Sequence, residues 1–366
     1  MQAENLIRPE VKNFQPYLPG KPISEAAREF GLKKIIKLAS NENPLGPSPL
    51  AVKKIKRTAG QLYFYPESSG VKLREALGKK LNISPNRIIL GNGSDEIIEL
   101  LGKTFLNKED EIIVSEHSFI RYAMAGRLMG CAVKSIPMEN FNYDISAIDR
   151  AITPKTKIIF VANPNNPTGT YIPKDGLIKL LRITPKNVLF VCDEAYYEYA
   201  SLEKNYPQTL EYLKDHENLI ILRTFSKIYA LAGLRIGYGI ASAKIIDYLD
   251  RMRPPFNVNT LAQVAAEASL GDRKQIIQAQ RLVKEGKEYL YNQLLKMEID
   301  YIPSAANFVL INLAAPGKKM FQDLLKEGVI VRAMDEYNLP YSIRVTIGKK
   351  SEMLLFIKAL KKVLGK

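Results

Sequence analysis

A largely parallel α/β sheet followed by a smaller α+β unit is the architecture this sequence predicts, and three observations predict it. From about Arg87 onward, short runs rich in Val, Ile, Leu and Phe alternate with helical stretches. Several of these runs are almost continuously apolar, as strands covered by helices on both faces must be. After Pro254-Pro255 the texture changes to long helical patterns with a few shorter strand-like runs. Strands and helices in strict alternation over this length argue a layered, mainly parallel sheet.

Taken in order, RIILG (87–91) reads as a strand and SDEIIELLGKTF (94–105) as an amphipathic helix. EIIVS (111–115) is a strand, and a helix-like run follows from about Ser118 to Met129. AVKSIP (132–137), KIIFVA (157–162), NVLFVCD (187–193) and NLIILRTF (218–225) are further strands. Helical patterns then run from about Leu261 to Met297. NFVLINL (307–313), a helix near Lys318–Lys326, GVIVR (328–332), SIRVTIG (342–348) and a terminal helix complete the chain. The expected division is a large unit over 41–257 and a small one over 258–366, each of ordinary domain size. Residues 1–40 are Pro-punctuated and irregular, and are expected to be an arm packed on the small unit or on a partner.

The composition is that of a globular chain, with 46% hydrophobic and 25% charged residues and no repeat or low-complexity tract. Lys and Arg outnumber Asp and Glu by 53 to 38, a net charge of +15. Nucleic-acid binding through a basic face is one reading. No zinc pattern, RNA-binding signature or basic tail accompanies the charge, so a Lys-rich solvated surface is the better one and no nucleic-acid partner is expected. Part of the excess also suits attraction of small anions. Cys131 and Cys192 stand far apart in apolar contexts, which fits a reducing cytoplasm. The N-terminus MQAENLIRPEVKNF lacks the apolar core of a signal peptide, and no run of about 18 apolar residues is present, so no membrane span is expected.

Four segments carry chemistry. In RTFSKIYALAGLRIGYG (223–239), Lys227 leaves a buried strand and Arg235 follows eight residues later. A lysine in that position is either a surface residue or an amine desolvated for attack on a carbonyl. Ser226 and Arg235 suit a phosphate. GNGSDEIIELL (91–101) puts two glycines at a strand-to-helix turn, either an ordinary helix start or an anion cradle. In a cradle, the Asp95 and Glu96 carboxylates must point away. VANPNNPTGTY (161–171) is a turn at a strand's carboxyl end, where open α/β sheets place ligands, with Asn166 facing the cleft. In VCDEAYYEYA (191–200), the buried Asp193 needs a cationic or hydrogen-bonding partner, either a structural one or a protonated pyridine nitrogen.

The ordered set NPNNPTG, DEAY and TFSKxYALAGLRIGY resembles the large-domain signature of the fold-type-I pyridoxal-phosphate aminotransferases, and the likeness spans most of residues 35–348. It implies a mostly parallel seven-stranded sheet flanked by helices, plus a smaller α+β domain. It implies that Lys227 is the Schiff-base lysine and proton shuttle, and that Asp193 pairs with the pyridinium nitrogen. By the same likeness Asn166 and Tyr196 hold the ring's 3-oxygen, while Ser94 and Asp95 (through backbone N–H), Ser226 and Arg235 take the phosphate. The ring stacks on Phe119 in EHSFIRY (116–122), which lacks a tyrosine's hydroxyl but keeps the π face. No metal is expected.

Within that superfamily, QPYLPGKP (15–22), LASNENPLGPSP (38–49), LYFYPE (62–67), SAANFVLI (304–311) and the pair VIVR/SIRVTIG are similar to the histidinol-phosphate aminotransferase family. The resemblance implies that Arg344 clamps a substrate carboxylate and Arg332 faces the substrate phosphate, with Tyr17, Asn43 and Asn307 as further substrate contacts. It implies that Tyr65 reaches across a homodimer interface to the neighbouring cofactor phosphate. Duller readings make the two arginines strand-end charges and Tyr65 core packing. The activity implied is ping-pong transamination between glutamate/2-oxoglutarate and histidinol phosphate in histidine biosynthesis. The rivals are an aromatic-amino-acid aminotransferase, a pyridoxal-phosphate decarboxylase of a phosphorylated amino acid, and a basic nucleic-acid-binding protein on an enzyme fold.

Overall fold

The computed structural model describes residues 6–12, 14, 28 and 35–366. Among them, seven strands form the main sheet: β1 (Ile88–Gly91), β2 (Glu111–Ser115), β3 (Ala132–Ile136), β4 (Thr156–Ala162), β5 (Leu189–Asp193), β6 (Leu219–Thr224) and β7 (Gly237–Ile240). Their spatial order is β1-β7-β6-β5-β4-β2-β3. β7 runs antiparallel to both its neighbours, and the other pairs are parallel.

The apolar runs become strands because alternate residues feed two different cores. Ile88, Leu90, Ile159, Val161, Phe190, Ile221 and their neighbours pack into one buried cluster. Ile89, Ile158, Phe160, Val191, Ile220 and Leu222 pack into another. The two-residue period of a strand sends successive side chains to opposite faces, so a sheet covered on both sides has no polar register to fill. The helix Ser94–Phe105 buries Ile97, Ile98, Leu100 and Leu101 against the second cluster.

The GYGI sequence of β7 carries no strand signal, since glycine is poor in strands. The structure shows why glycine is needed: a Cβ on Gly237 would lie 2.5 Å from the Ser94 backbone nitrogen. The strand runs directly beneath the start of that helix. The helix Pro49–Thr58 carries Lys53, Lys54 and Lys56, whose spacing suits a helical solvent face, whereas the helices Val71–Leu81 and Ala243–Met252 have no counterpart in the sequence pattern.

The second sheet is built from β8 (Tyr301–Ile302), β9 (Phe308–Asn312), β10 (Arg332–Met334) and β11 (Leu339–Thr346), ordered β8-β9-β11-β10 and antiparallel throughout. GVIVR is therefore not one strand. Val329–Ile330 pairs in parallel with Ile36–Lys37, and the chain then turns so that β10 pairs with β11. The break lets one short segment serve two partners, with Arg332 in register with Arg344. The helix Thr260–Leu270 packs on Pro49–Thr58 and Val71–Leu81 rather than on this sheet. Among the described residues, no helix is long and apolar enough to cross a membrane.

Candidate active site

The carboxyl ends of β4, β5 and β6 and the turn after β1 open on one cleft of about 280 Å³, closed on its other side by Arg332 and Arg344. This is where an open α/β sheet offers free backbone groups to a ligand.

Lys227 lies three residues beyond β6, in a chain folded tightly on itself. The Ser226 N–H donates to Thr224 Oγ1 (3.0 Å), and the Ala230 N–H donates to the Lys227 carbonyl (3.0 Å). From that turn the half-buried Lys227 reaches the cleft, its Nζ donating to the Ser40 carbonyl at 3.3 Å and standing 5.6 Å from the Tyr196 ring centre. Asn43 secures the turn from below, donating from Nδ2 to the Ile228 carbonyl at 2.7 Å. Asn43 does not line the cleft, and neither does Asn307, whose Nδ2 donates to the Asn41 carbonyl at 3.0 Å. Tyr17 lies outside the described residues.

Asp193 ends β5 and is 4% exposed. One carboxylate oxygen accepts from the Tyr122 hydroxyl (2.7 Å) and the other from the Ala195 N–H (3.1 Å). Burial pushes its carboxyl up to about 6, against the lowering effect of those two hydrogen bonds. No cation of the described chain compensates it. A protonated ring nitrogen at the cleft floor would supply that charge, and this is the first sign that the residues fit pyridoxal phosphate.

The second sign is a pair of donors prepared for an anionic oxygen. The Tyr196 hydroxyl oxygen accepts from Asn41 Nδ2 at 2.9 Å, leaving its own proton to donate. Asn166 accepts at Oδ1 from Arg344, leaving its amide N–H groups for the cleft. The third sign is the turn after β1. Ser94 and Asp95 sit in the first turn of their helix, whose free N–H groups suit a phosphate. Arg235 Nη1 lies 3.5 Å from Ser226 Oγ, and a Cβ on Gly93 would lie 2.6 Å from Arg235 Nη2, so glycine lets the guanidinium close on the backbone. Ser226 and Phe119 also line the cleft.

Glu96 does turn away from this cradle, accepting from the Asn92 N–H (2.6 Å) and Asn257 Nδ2 (2.5 Å). Asp95 does not. Its carboxylate lies 3.7 Å from Arg235 and 3.8 Å from Arg121, and the attraction of two guanidiniums keeps it at the rim.

On the opposite wall Arg344 is buried, donating to the Ala39 carbonyl (2.9 Å) and to Asn166, while its Nε has no partner. Arg332 lies beside it across the β10–β11 pair and hydrogen-bonds Glu336. Tyr65 stands outside the cleft, 81% exposed and stacked on Phe256 at 4.8 Å, so it is not core packing. Among the described residues, no group of three His, Cys, Asp or Glu side chains is placed to hold a metal ion.

Sequence reasoning missed Tyr122, Asn41, Thr224 and Glu336. Tyr122 stands in the EHSFIRY segment three residues after Phe119, and Asn41 lies within LASNENP; no local pattern marks either.

A lysine, a buried carboxylate and an anion cradle at the strand ends of such a sheet define a pyridoxal-phosphate transferase site. The family model for aminotransferase class I and II matches residues 33–360. The histidinol-phosphate aminotransferase of Moorella thermoacetica is 45% identical over 359 residues, covering 98% of this chain and 93% of that protein. That of Caldicellulosiruptor saccharolyticus is also 45% identical, covering 98% and 100%. The crystal structure of histidinol-phosphate aminotransferase from Sinorhizobium meliloti in complex with pyridoxal-5'-phosphate superposes with a TM-score of 0.88 at 25% identity, covering 97% and 98% of the two chains. A double mutant of aspartate aminotransferase from Thermus thermophilus, at 22% identity and a TM-score of 0.85 over 98% of this chain and 99% of that one, shares the fold. The chain belongs to the class I and II aminotransferases and, within them, to the histidinol-phosphate aminotransferase family.

Proposed function

We infer that the protein transfers an amino group between histidinol phosphate and 2-oxoglutarate, using pyridoxal phosphate. The observation that carries the substrate choice is the pair of in-register guanidiniums, Arg332 and Arg344, on the wall facing Lys227. Planar forks of donors suit carboxylate and phosphate.

Bound pyridoxal phosphate supplies an electron sink for charge developing at the substrate's α-carbon. Asp193 would hold the ring nitrogen protonated, Asn166 and Tyr196 would donate to the ring oxygen, and Phe119 would cover the ring face. Ser94 and Asp95 backbone N–H groups, Ser226 and Arg235 would anchor the phosphate. Lys227 would be the base that takes the α-proton and carries it between the substrate's α-carbon and the cofactor. Arg344, with an unsatisfied Nε, would take a carboxylate. Arg332 would take the substrate phosphate.

One observation favours the aromatic-substrate reading: Glu336 already neutralises part of Arg332, which leaves a less cationic wall for an aromatic ring. Comparing kcat/KM of Arg332→Ala for histidinol phosphate and phenylalanine separates the two. A selective loss of about tenfold or more on histidinol phosphate is expected, and equal losses would remove the phosphate role. For the cofactor itself, Lys227→Ala should lose the visible absorbance band of the loaded protein and at least about a thousandfold in rate. A colourless wild type that takes up no added pyridoxal phosphate would sink the assignment.

We also propose a homodimer in which Tyr65 reaches the neighbouring site, since Leu62, Tyr63, Phe64, Tyr65 and Phe256 form an exposed apolar patch. The two buried thiols, neither in a disulfide, support a reducing, cytoplasmic setting. The domain proposal keeps an arm before residue 41 but moves the division from about residue 258 to beyond the helix Thr260–Leu270, which packs on Pro49–Thr58 and Val71–Leu81 of the large unit. The pairing of Ile36–Lys37 with Val329–Ile330 supports an arm that packs on the small unit.

A further inference from the structure

Arg332 and Arg344 face each other in register, yet their charges are met differently. Arg344 donates to neutral acceptors, the Ala39 carbonyl and the Asn166 amide oxygen. Arg332 meets a carboxylate of its own chain. Glu336, four residues on, accepts from Nε at 3.1 Å and from Nη2 at 2.5 Å. Both Arg332 and Glu336 line the cleft. The Nε–Nη2 edge is the one a phosphate or carboxylate would take in bidentate fashion, and two anions cannot hold one edge together.

The backbone under Glu336 is fixed. The Tyr337 carbonyl accepts from His117 Nδ1 at 2.7 Å. Asn338 adopts φ 57° and returns its N–H to the Asp335 carbonyl at 3.0 Å. A register shift at Ala333/Met334 aims this corner at the cleft. The Glu336 side chain itself is 28% exposed. It can leave Arg332 by rotating into solvent, with no movement of the turn.

We propose that Glu336 is an exchangeable counter-ion: it holds this edge of Arg332 between turnovers and yields it to the dianionic phosphate of the substrate. The inference rests on the histidinol-phosphate reading above. A phosphate monoester brings two charges and three acceptor oxygens where Glu336 brings one charge and two, so the exchange favours the dianion. A neutral aromatic ring offers nothing in exchange and leaves the ion pair in place. Displacing Glu336 weakens ground-state binding, which eases release of the phosphorylated keto product.

The test uses the cofactor-loaded protein with E336A, E336Q, R332A and the double variant R332A/E336A. E336A should lower KM for histidinol phosphate about three- to tenfold, with the change carried by KM rather than kcat, and E336Q should do so by less. KM for phenylalanine should not fall, since an uncovered guanidinium gives a neutral side chain no counter-charge to meet. Calorimetric titration with inorganic phosphate should show the same tightening in E336A. In the R332A background, removing Glu336 should have no further effect. A rise in KM with E336A would make Glu336 a positioning residue for Arg332 and overturn the proposal, as would an unchanged affinity for inorganic phosphate. Should the wild type turn over phenylalanine and not histidinol phosphate, the functional reading fails, and the phosphate titration still decides the counter-ion role.

Discussion

Asp193 and Glu194 are neighbours in sequence, acidic and buried, and the chain treats them in opposite ways. Glu194 is met by a cation: Arg223 donates to one of its oxygens from Nε (2.9 Å) and from Nη2 (2.8 Å), and the same guanidinium lies 3.5 Å from the Tyr197 ring centre. Asp193 is met by a hydroxyl and a backbone N–H, and it lines the cleft. A buried ion pair whose charges cancel within the chain is scaffold, even though Glu194 Oε1 itself has no hydrogen-bond partner. A buried carboxylate given hydrogen bonds and no cation is a place prepared for one. Arg344 repeats the pattern with the sign reversed.

Among the substitutions that probe this contrast, Asp193→Asn should have the largest effect, lowering kcat/KM about a hundredfold or more. Without cofactor the same substitution should stabilise. Well below pH 3.8 the carboxyl is neutral in both folded and unfolded chains, so the difference vanishes there. As pH rises from its ordinary value of 3.8 towards about 6, the unfolded chain ionises first and the folded state loses stability. Above that window the loss is about 3 kcal/mol, before any hydrogen bond lost by the amide is subtracted. Calorimetry of the cofactor-free proteins should therefore show the stability of Asp193→Asn relative to wild type rising from pH 4 to pH 8; a pH-independent difference would break the contrast.

Glu194→Gln should do the reverse. It leaves Arg223 buried without its counter-charge, at a cost of about 3 kcal/mol in unfolding free energy, with the absorbance of the loaded protein unchanged. An altered spectrum would mean that the two carboxylates are not separable. Arg344→Lys, which keeps charge and loses the fork, should raise KM for glutamate about tenfold, read from initial rates at fixed second substrate. The smallest effect is expected for Tyr65→Phe, a loss of about three- to tenfold in pyridoxal-phosphate affinity measured by fluorescence titration. No change there would remove the cross-subunit contact, leaving the exposed patch to be tested by the protein's mass in solution.

Much of the proposed cofactor end was legible because Asp193 ends a strand, and Asn166 and Lys227 follow within four residues of strands that the sequence marks clearly. Asp193, Asn166 and Lys227 follow apolar runs, and the two-sided burial that makes a run apolar also fixes where it ends. β7 was not legible, since GYGI reflects the close approach of the Ser94 helix rather than any strand preference. Asn43 and Asn307 carried the right motifs, yet the structure uses their amides to tie backbone segments together.

The sequence by itself determined the fold class, the order of the strand ends and the lysine that leaves β6, because these depend on periodicity and on signals a few residues long. Only the tertiary structure decided which charges are completed. Tyr122 reaches Asp193 across 71 positions, and Arg344 reaches Asn166 across 178. Glu336 is close to Arg332 in sequence, but a turn and a register shift had to aim both at the cleft before the pair could matter. Hydrogen bonding is directional and short in range, so partners are chosen by where the backbone delivers each group, and no residue type announces that in advance.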